Sequence, residues 1–162
     1  DRVYERTLVP LAMLEVNLIN TAAVALSAAT AKTIVAGIAP TNQRFIVKEW
    51  SVTFDGVTAS AVPVLCELVY SSGAGAGTST SLTPTKQNPI DAETIQSTAK
   101  ENYTAEPTTI TVLDSMLISP TSGMKEIRPA LRGVMCPGGK TLGIRCTAPA
   151  TVNVRGTMKC EE

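Results

Sequence analysis

The chain has 162 residues, 44% of them hydrophobic and 17% charged, which is enough length and apolar content to bury one core without disulfide staples. Its 14 basic and 14 acidic residues cancel and no basic block stands out, so nothing favours a nucleic-acid partner, whose phosphates need clustered Lys and Arg. The absence of histidine excludes Ser-His-Asp and Cys-His catalysis and any metal centre that needs imidazole.

Arg2 and Arg6 precede LVPLAMLEVNLINTAAVALSAATA, a run that imitates a secretory signal. Glu15, Asn17 and Asn20 interrupt it, and each is costly in a membrane-inserted segment, so neither a signal nor a transmembrane helix is expected, and no membrane partner. Strand patterns begin at 14–18, 24–27 and 33–38, and the clearest is QRFIVKEWSVTF over 43–54. There Phe45 and Val47 share one face while Trp50, Val52 and Phe54 share the other. A bulge near Lys48 to Trp50 is predicted to restore one apolar face. Asp55-Gly56 supplies a turn, and VPVLCELVY over 62–70 puts Val62, Val64, Cys66, Leu68 and Tyr70 on one side.

Residues 71–109 are rich in Gly, Ser, Thr and Pro and read as a long loop. Its GAGAG is not a dinucleotide fingerprint, Ser97 to Lys100 is an S-x-x-K without its companion motifs, and Asn102-Tyr103-Thr104 is only a formal glycosylation triplet. Strand patterns resume at 109–119, a turn at 120–123 follows, then 124–129. The segments 131–136 and 141–147 read as a hairpin closed by Pro137-Gly138-Gly139-Lys140. Gly139-Lys140-Thr141 imitates a phosphate loop, but the required first glycine falls on Val134, and Leu142, Ile144 and Cys146 continue at strand period instead of opening a helix. The run 151–160 reads as a last strand paired with 141–147, with Val152, Val154, Gly156 and Met158 on one face. Roughly eight to ten strands and no confident helix predict an all-β, jelly-roll-like two-sheet sandwich. The chain is a single domain overall, with 1–31 as an N-terminal arm and first strands and 32–162 as the sandwich.

Cys66, Cys136, Cys146 and Cys160 lack metal-ligand spacing; Cys66 and Cys146 sit among strand residues and read as small buried hydrophobes, with disulfides left open. No metal or other cofactor is expected. The carboxylates Asp55, Glu67, Asp91, Glu93, Glu106, Asp114 and Glu126 are dispersed. Asp55 and Asp91 lie beside turn residues and read as solvated or capping, and Glu67 and Asp114 as surface. An aromatic content of 4% poorly suits a glycosidase, and the single tryptophan, Trp50, reads as core.

FIVKEWSVTFDG, PVLCELVY with its Gly/Thr-rich loop, LTPTKQNPIDAETIQSTAKENYTAEPT, LDSMLISPTSG and the closing GKTLGIRCTAPATVNVRGTMKCEE together resemble small structural proteins of tailed-bacteriophage heads. These are similar to decoration, or cement, proteins. The resemblance covers the chain from about Thr33 onward by strand order and has no signature motif. It implies a non-enzymatic virion component on the outside of an expanded capsid, assembled in the host cytoplasm, bound to the major capsid protein and homo-oligomeric as a trimer or dimer. Under it, Arg2 and Arg6 offer bidentate bonds to capsid carboxylates, and Tyr4, Leu8 and Leu11 offer anchors. An ordinary first strand with two solvated arginines stands beside that reading. Arg128 and Arg132 are further interface candidates, with a solvated hairpin as the plainer alternative. Two other functions remain: a receptor- or carbohydrate-binding module of a phage fibre or tail, using the 71–109 loop, and an enzyme working through its carboxylates.

Overall fold

The computed structural model describes residues 13–55, 62–73, 78–128 and 132–162. They form two antiparallel sheets packed as a β-sandwich, with no helix. The strands are β1 (Glu15–Ile19), β2 (Val24–Leu26), β3 (Ala31–Ile38), β4 (Phe45–Phe54), β5 (Val64–Ser71), β6 (Thr80–Leu82), β7 (Thr85–Lys86), β8 (Thr98–Glu101), β9 (Ile110–Ile118), β10 (Met124–Ile127), β11 (Val134–Cys136), β12 (Thr141–Thr147) and β13 (Val152–Glu161). One sheet runs β10-β4-β13-β1-β7, with β11 added on β4 and β2 on β13; the other runs β6-β8-β3-β12-β5-β9. No helix among the described residues is long and apolar enough to cross a membrane.

Alternation drives the layering. Val152, Val154, Gly156, Met158 and Cys160 of β13 are buried while the residues between them are not, as the period of two requires. In β4 the predicted bulge is present: Lys159 pairs with Glu49 and Cys160 with Val47, so Lys48 is the extra residue. It brings Phe45, Val47, Trp50 and Val52 to the same core, and all four are buried. Gly156 sits where the sheets approach. A Cβ there would lie 2.8 Å from Ile34 Cδ1 and 3.0 Å from Val35 Cγ1. Gly156→Ala is expected to cost about 1–3 kcal/mol by overpacking, read as a lower denaturation midpoint with an unchanged urea m-value.

Two predicted pairings are corrected. The segment 131–136 and β12 are not a hairpin: β11 adds to β4 in one sheet while β12 lies between β3 and β5 in the other. The turn itself is real, with the Lys140 amide donating to Pro137 O at 3.1 Å and Gly139 at φ 71°. It is a corner between layers. Likewise β12 and β13 belong to different sheets, as do β9 and β10 on either side of the 120–123 turn. Sequence period reports which residues face inward; it carries no information on which sheet receives the next strand.

The long predicted loop is the largest departure. Within 71–109, β6 and β8 extend one sheet beyond β3, and β7 pairs with β1 in the other. The segment therefore leaves β5, covers the far edges of both sheets and returns to β9. Hydrogen bonds hold the return path. Asn102 N and Tyr103 N donate to Ile34 O and Thr33 O at 3.0 Å each, Glu106 accepts from Thr33 N and Oγ1 at 2.5 and 2.6 Å, and Ser71 Oγ donates to Thr108 O at 2.8 Å. Asn102 and Thr109 have positive φ of 50° and 58° and make the corners at its two ends.

Candidate interaction surface

Of the residues singled out from sequence, Arg2, Tyr4, Arg6, Leu8 and Leu11 lie outside the described residues. Arg132 is exposed just before β11. Arg128 is not the solvated side chain of a hairpin. Its Nη2 donates to Asp114 Oδ2 at 2.9 Å and to Glu126 Oε1 at 2.8 Å, tying β9 of one sheet to β10 of the other across the open side of the sandwich. Its backbone N–H is held by Lys48 O at 2.7 Å.

This cluster corrects the reading of Asp114 as a surface carboxylate. Burial raises the Glu126 carboxyl above its usual range, a hydrogen bond with Asp114 raises it further, and Arg128 pulls against both. The two acids thus share one guanidinium nitrogen. The arrangement is a clasp. Glu67 is also buried, against expectation, with its Oε2 receiving Arg145 Nε at 2.9 Å and Nη2 at 2.8 Å. Asp91 does serve a turn: its Oδ1 accepts from Asn88 Nδ2 at 3.1 Å.

Beside the clasp lies an unpaired edge. Among the described residues β9 bonds to β5 on one side only and ends its sheet, and eight of its nine positions keep solvent access. Leu117 is 72% exposed, and Val112 and Leu113 are exposed as well. The strand carries no Lys or Pro, the residues that ordinarily blunt an edge, and its one charge, Asp114, is committed to Arg128. A bulge at Leu113, between the pairs Leu68–Asp114 and Val69–Val112, leaves 114–118 as the regular part. In the other sheet Ile127 of β10 and Met135 of β11 are exposed as well, and Ile127 lines the groove on that sheet's outer face. Sequence reasoning missed this surface because an alternating strand looks identical at the centre and at the edge of a sheet.

A groove of about 300 Å³ on the outer face of the first sheet is lined by Glu15, Lys48, Glu49, Lys159 and Glu161, among others. Four of these charges are paired: Lys48 meets Glu161 at 3.1 Å, and Glu49 meets Lys159 at 3.7 Å and, beyond the groove, Lys125 at 2.9 Å. All four cysteines are free and buried, and among the described residues no cluster of His, Cys, Asp or Glu is arranged to hold a metal. Lys140 of the imitation phosphate loop donates to Ser72 O at 3.0 Å. Comparison with protein-family models, with curated proteins and with solved structures finds no match for this chain.

Proposed function

We propose that this protein is a structural component of a tailed-phage head, a decoration or cement protein that docks on the outer surface of an expanded capsid and strengthens it. The observation that carries the reading is the β9 edge, which exposes Val112, Leu113 and Leu117. Among the described residues its outer backbone groups have no strand partner, which suits an extended protein contact by strand addition.

A jelly-roll assignment supports it. β1 pairs with β13, β3 with β12, β4 with β10, and β5 with β9. First pairs with last and each next strand nests inside, which is what a long hairpin rolled on itself produces, a wrap common in viral capsid domains. β2, β6, β7, β8 and β11 are additions to that wrap.

Co-sedimentation with expanded capsids of the encoding phage tests the proposal, using the full chain, a chain lacking 1–14, and Leu117→Lys. Binding is expected to saturate at a fixed ratio to the major capsid protein. Leu117→Lys, at an exposed site that spares the core, is expected to weaken it by roughly tenfold or more, equivalent to about 1.4 kcal/mol. Full-length protein that stays in the supernatant at saturating concentration overturns the reading.

A further inference from the structure

Cys66 of β5 and Cys146 of β12 stand directly opposite each other in the antiparallel ladder, and their Sγ atoms are in contact at 3.5 Å. Both thiols are free and fully buried. Opposed residues of an antiparallel pair have Cα atoms about 4.5–5.5 Å apart, inside the span of about 4.4–6.8 Å that a disulfide bridges. Side-chain rotation alone closes the remaining sulfur gap. Cys136 and Cys160 form a built-in contrast. They flank β4 from opposite sides, opposite Phe45 and Val47 respectively, so an entire strand separates them. Two strand spacings amount to about 9–10 Å, beyond disulfide reach.

We infer that the Cys66–Cys146 pair is an oxidation site that a small peroxide converts to a cross-strand disulfide. In the first step one sulfur, as thiolate, attacks a peroxide oxygen; an S–O bond forms, the O–O bond breaks, and the departing oxygen leaves as water after taking up protons, leaving a sulfenic acid. In the second, the neighbouring thiol attacks that sulfur, the S–S bond forms, and the S–O bond breaks with release of a second water. The sum is two thiols and one hydrogen peroxide giving one disulfide and two waters. A peroxide suits the site because it is small and neutral enough to reach a closed core.

The contact with Cys66 and burial both hold the Cys146 thiol well above its ordinary range, so thiolate is scarce and the step is slow. The pair therefore stays reduced in a reducing cytoplasm and is converted on prolonged exposure to an oxidising medium. The cross-link joins residues 80 apart in sequence and bonds β5 to β12 covalently inside the six-stranded sheet. By constraining the unfolded chain it is expected to raise the melting temperature by roughly 5–15 °C.

The test uses the folded full chain, exposed to excess hydrogen peroxide at neutral pH for up to a day. The peroxide is removed with catalase, free thiols are alkylated in denaturant without reductant, and peptides are mapped by mass spectrometry. The expected result is a peptide pair joined through Cys66 and Cys146, alkylated Cys136 and Cys160, and a raised melting temperature that dithiothreitol reverses. Four alkylated cysteines after the exposure overturn the inference, as does a link between any other pair, or sulfinic and sulfonic acids at Cys66 and Cys146 without a link.

Discussion

Asn20→Ala is expected to lower stability by about 3–5 kcal/mol, the sum of one orphaned buried donor and one lost bond to a charged group, which corresponds to a fall of roughly 10 °C or more in melting temperature. Asn20 lies in the gap between β1 and β2, opposite Gly156 of β13. Its backbone N–H donates to Gly156 O at 3.1 Å and its Oδ1 accepts from Gly156 N at 2.8 Å, so one residue stands in for a strand partner. Its Nδ2 turns to the other sheet and donates to Ile34 O at 2.8 Å and Glu101 Oε2 at 2.9 Å. Only a short amide meets these demands, because the site needs an acceptor on one side and donors on the other. Asn20→Asp removes the donors and sets a second carboxylate against Glu101, so it is expected to cost more than Asn20→Ala at neutral pH. Thermal melts of the two variants at pH 7 check that order.

The pH dependence follows from Glu101. Burial works to raise its carboxyl, but hydrogen bonds from Asn20 and from the Thr21 side chain and backbone, with Arg155 nearby, outweigh it and hold the group below its usual range. A carboxyl lowered by folding contributes stability that is fully present above its unfolded value, about 4.3, and is lost as pH falls through the folded value. Glu101→Gln is therefore expected to destabilise at neutral pH and to flatten the acid side of the stability profile.

Much of the fold was legible in local pattern. β4 with its bulge, the inward face of β13 and the corner at 137–140 follow from alternation and turn chemistry, which depend on residues a few positions apart. What stayed hidden is non-local. The hairpin expected between β11 and β12 fails because adjacent strands in sequence can as well pass to opposite sheets. The 71–109 segment looked structureless because its strands are two to four residues long, and its own carboxylates Glu101 and Glu106 tie it to Thr21 and Thr33, far away in sequence. Asn20 did leave a signal, a polar residue breaking an apolar run, yet that break served only to exclude a signal peptide. The β9 edge left none, since exposure of its residues depends on which strand ends the sheet.

Arg128→Met is expected to cost about 2–4 kcal/mol at neutral pH, less than a fully buried pair because the clasp keeps some solvent access, and most of that loss is expected to disappear near pH 5. Methionine keeps the stem that packs between the sheets and removes the charge. Asp114 and Glu126 are then left facing each other with no cation. Glu126 is already raised in the native protein, so its sign is opposite to that of Glu101. A carboxyl raised by folding contributes stability that is present below its unfolded value and is lost as pH rises through its folded value. Removing Arg128 takes away the one influence lowering it, so the folded value climbs further and the window of lost stability widens into the neutral range. Glu126→Gln in the Arg128→Met background is expected to restore stability at pH 7 and abolish the pH dependence, with denaturant midpoints from pH 5 to 8 as the measurement. A loss that is independent of pH and unrelieved by the second change would mean that Arg128 acts through packing alone. The outcome bears on docking as well, because the clasp is what fixes β9 against β10. If the charge balance there governs the spacing of the two sheets, it also sets the shape of the edge that is proposed to meet the capsid.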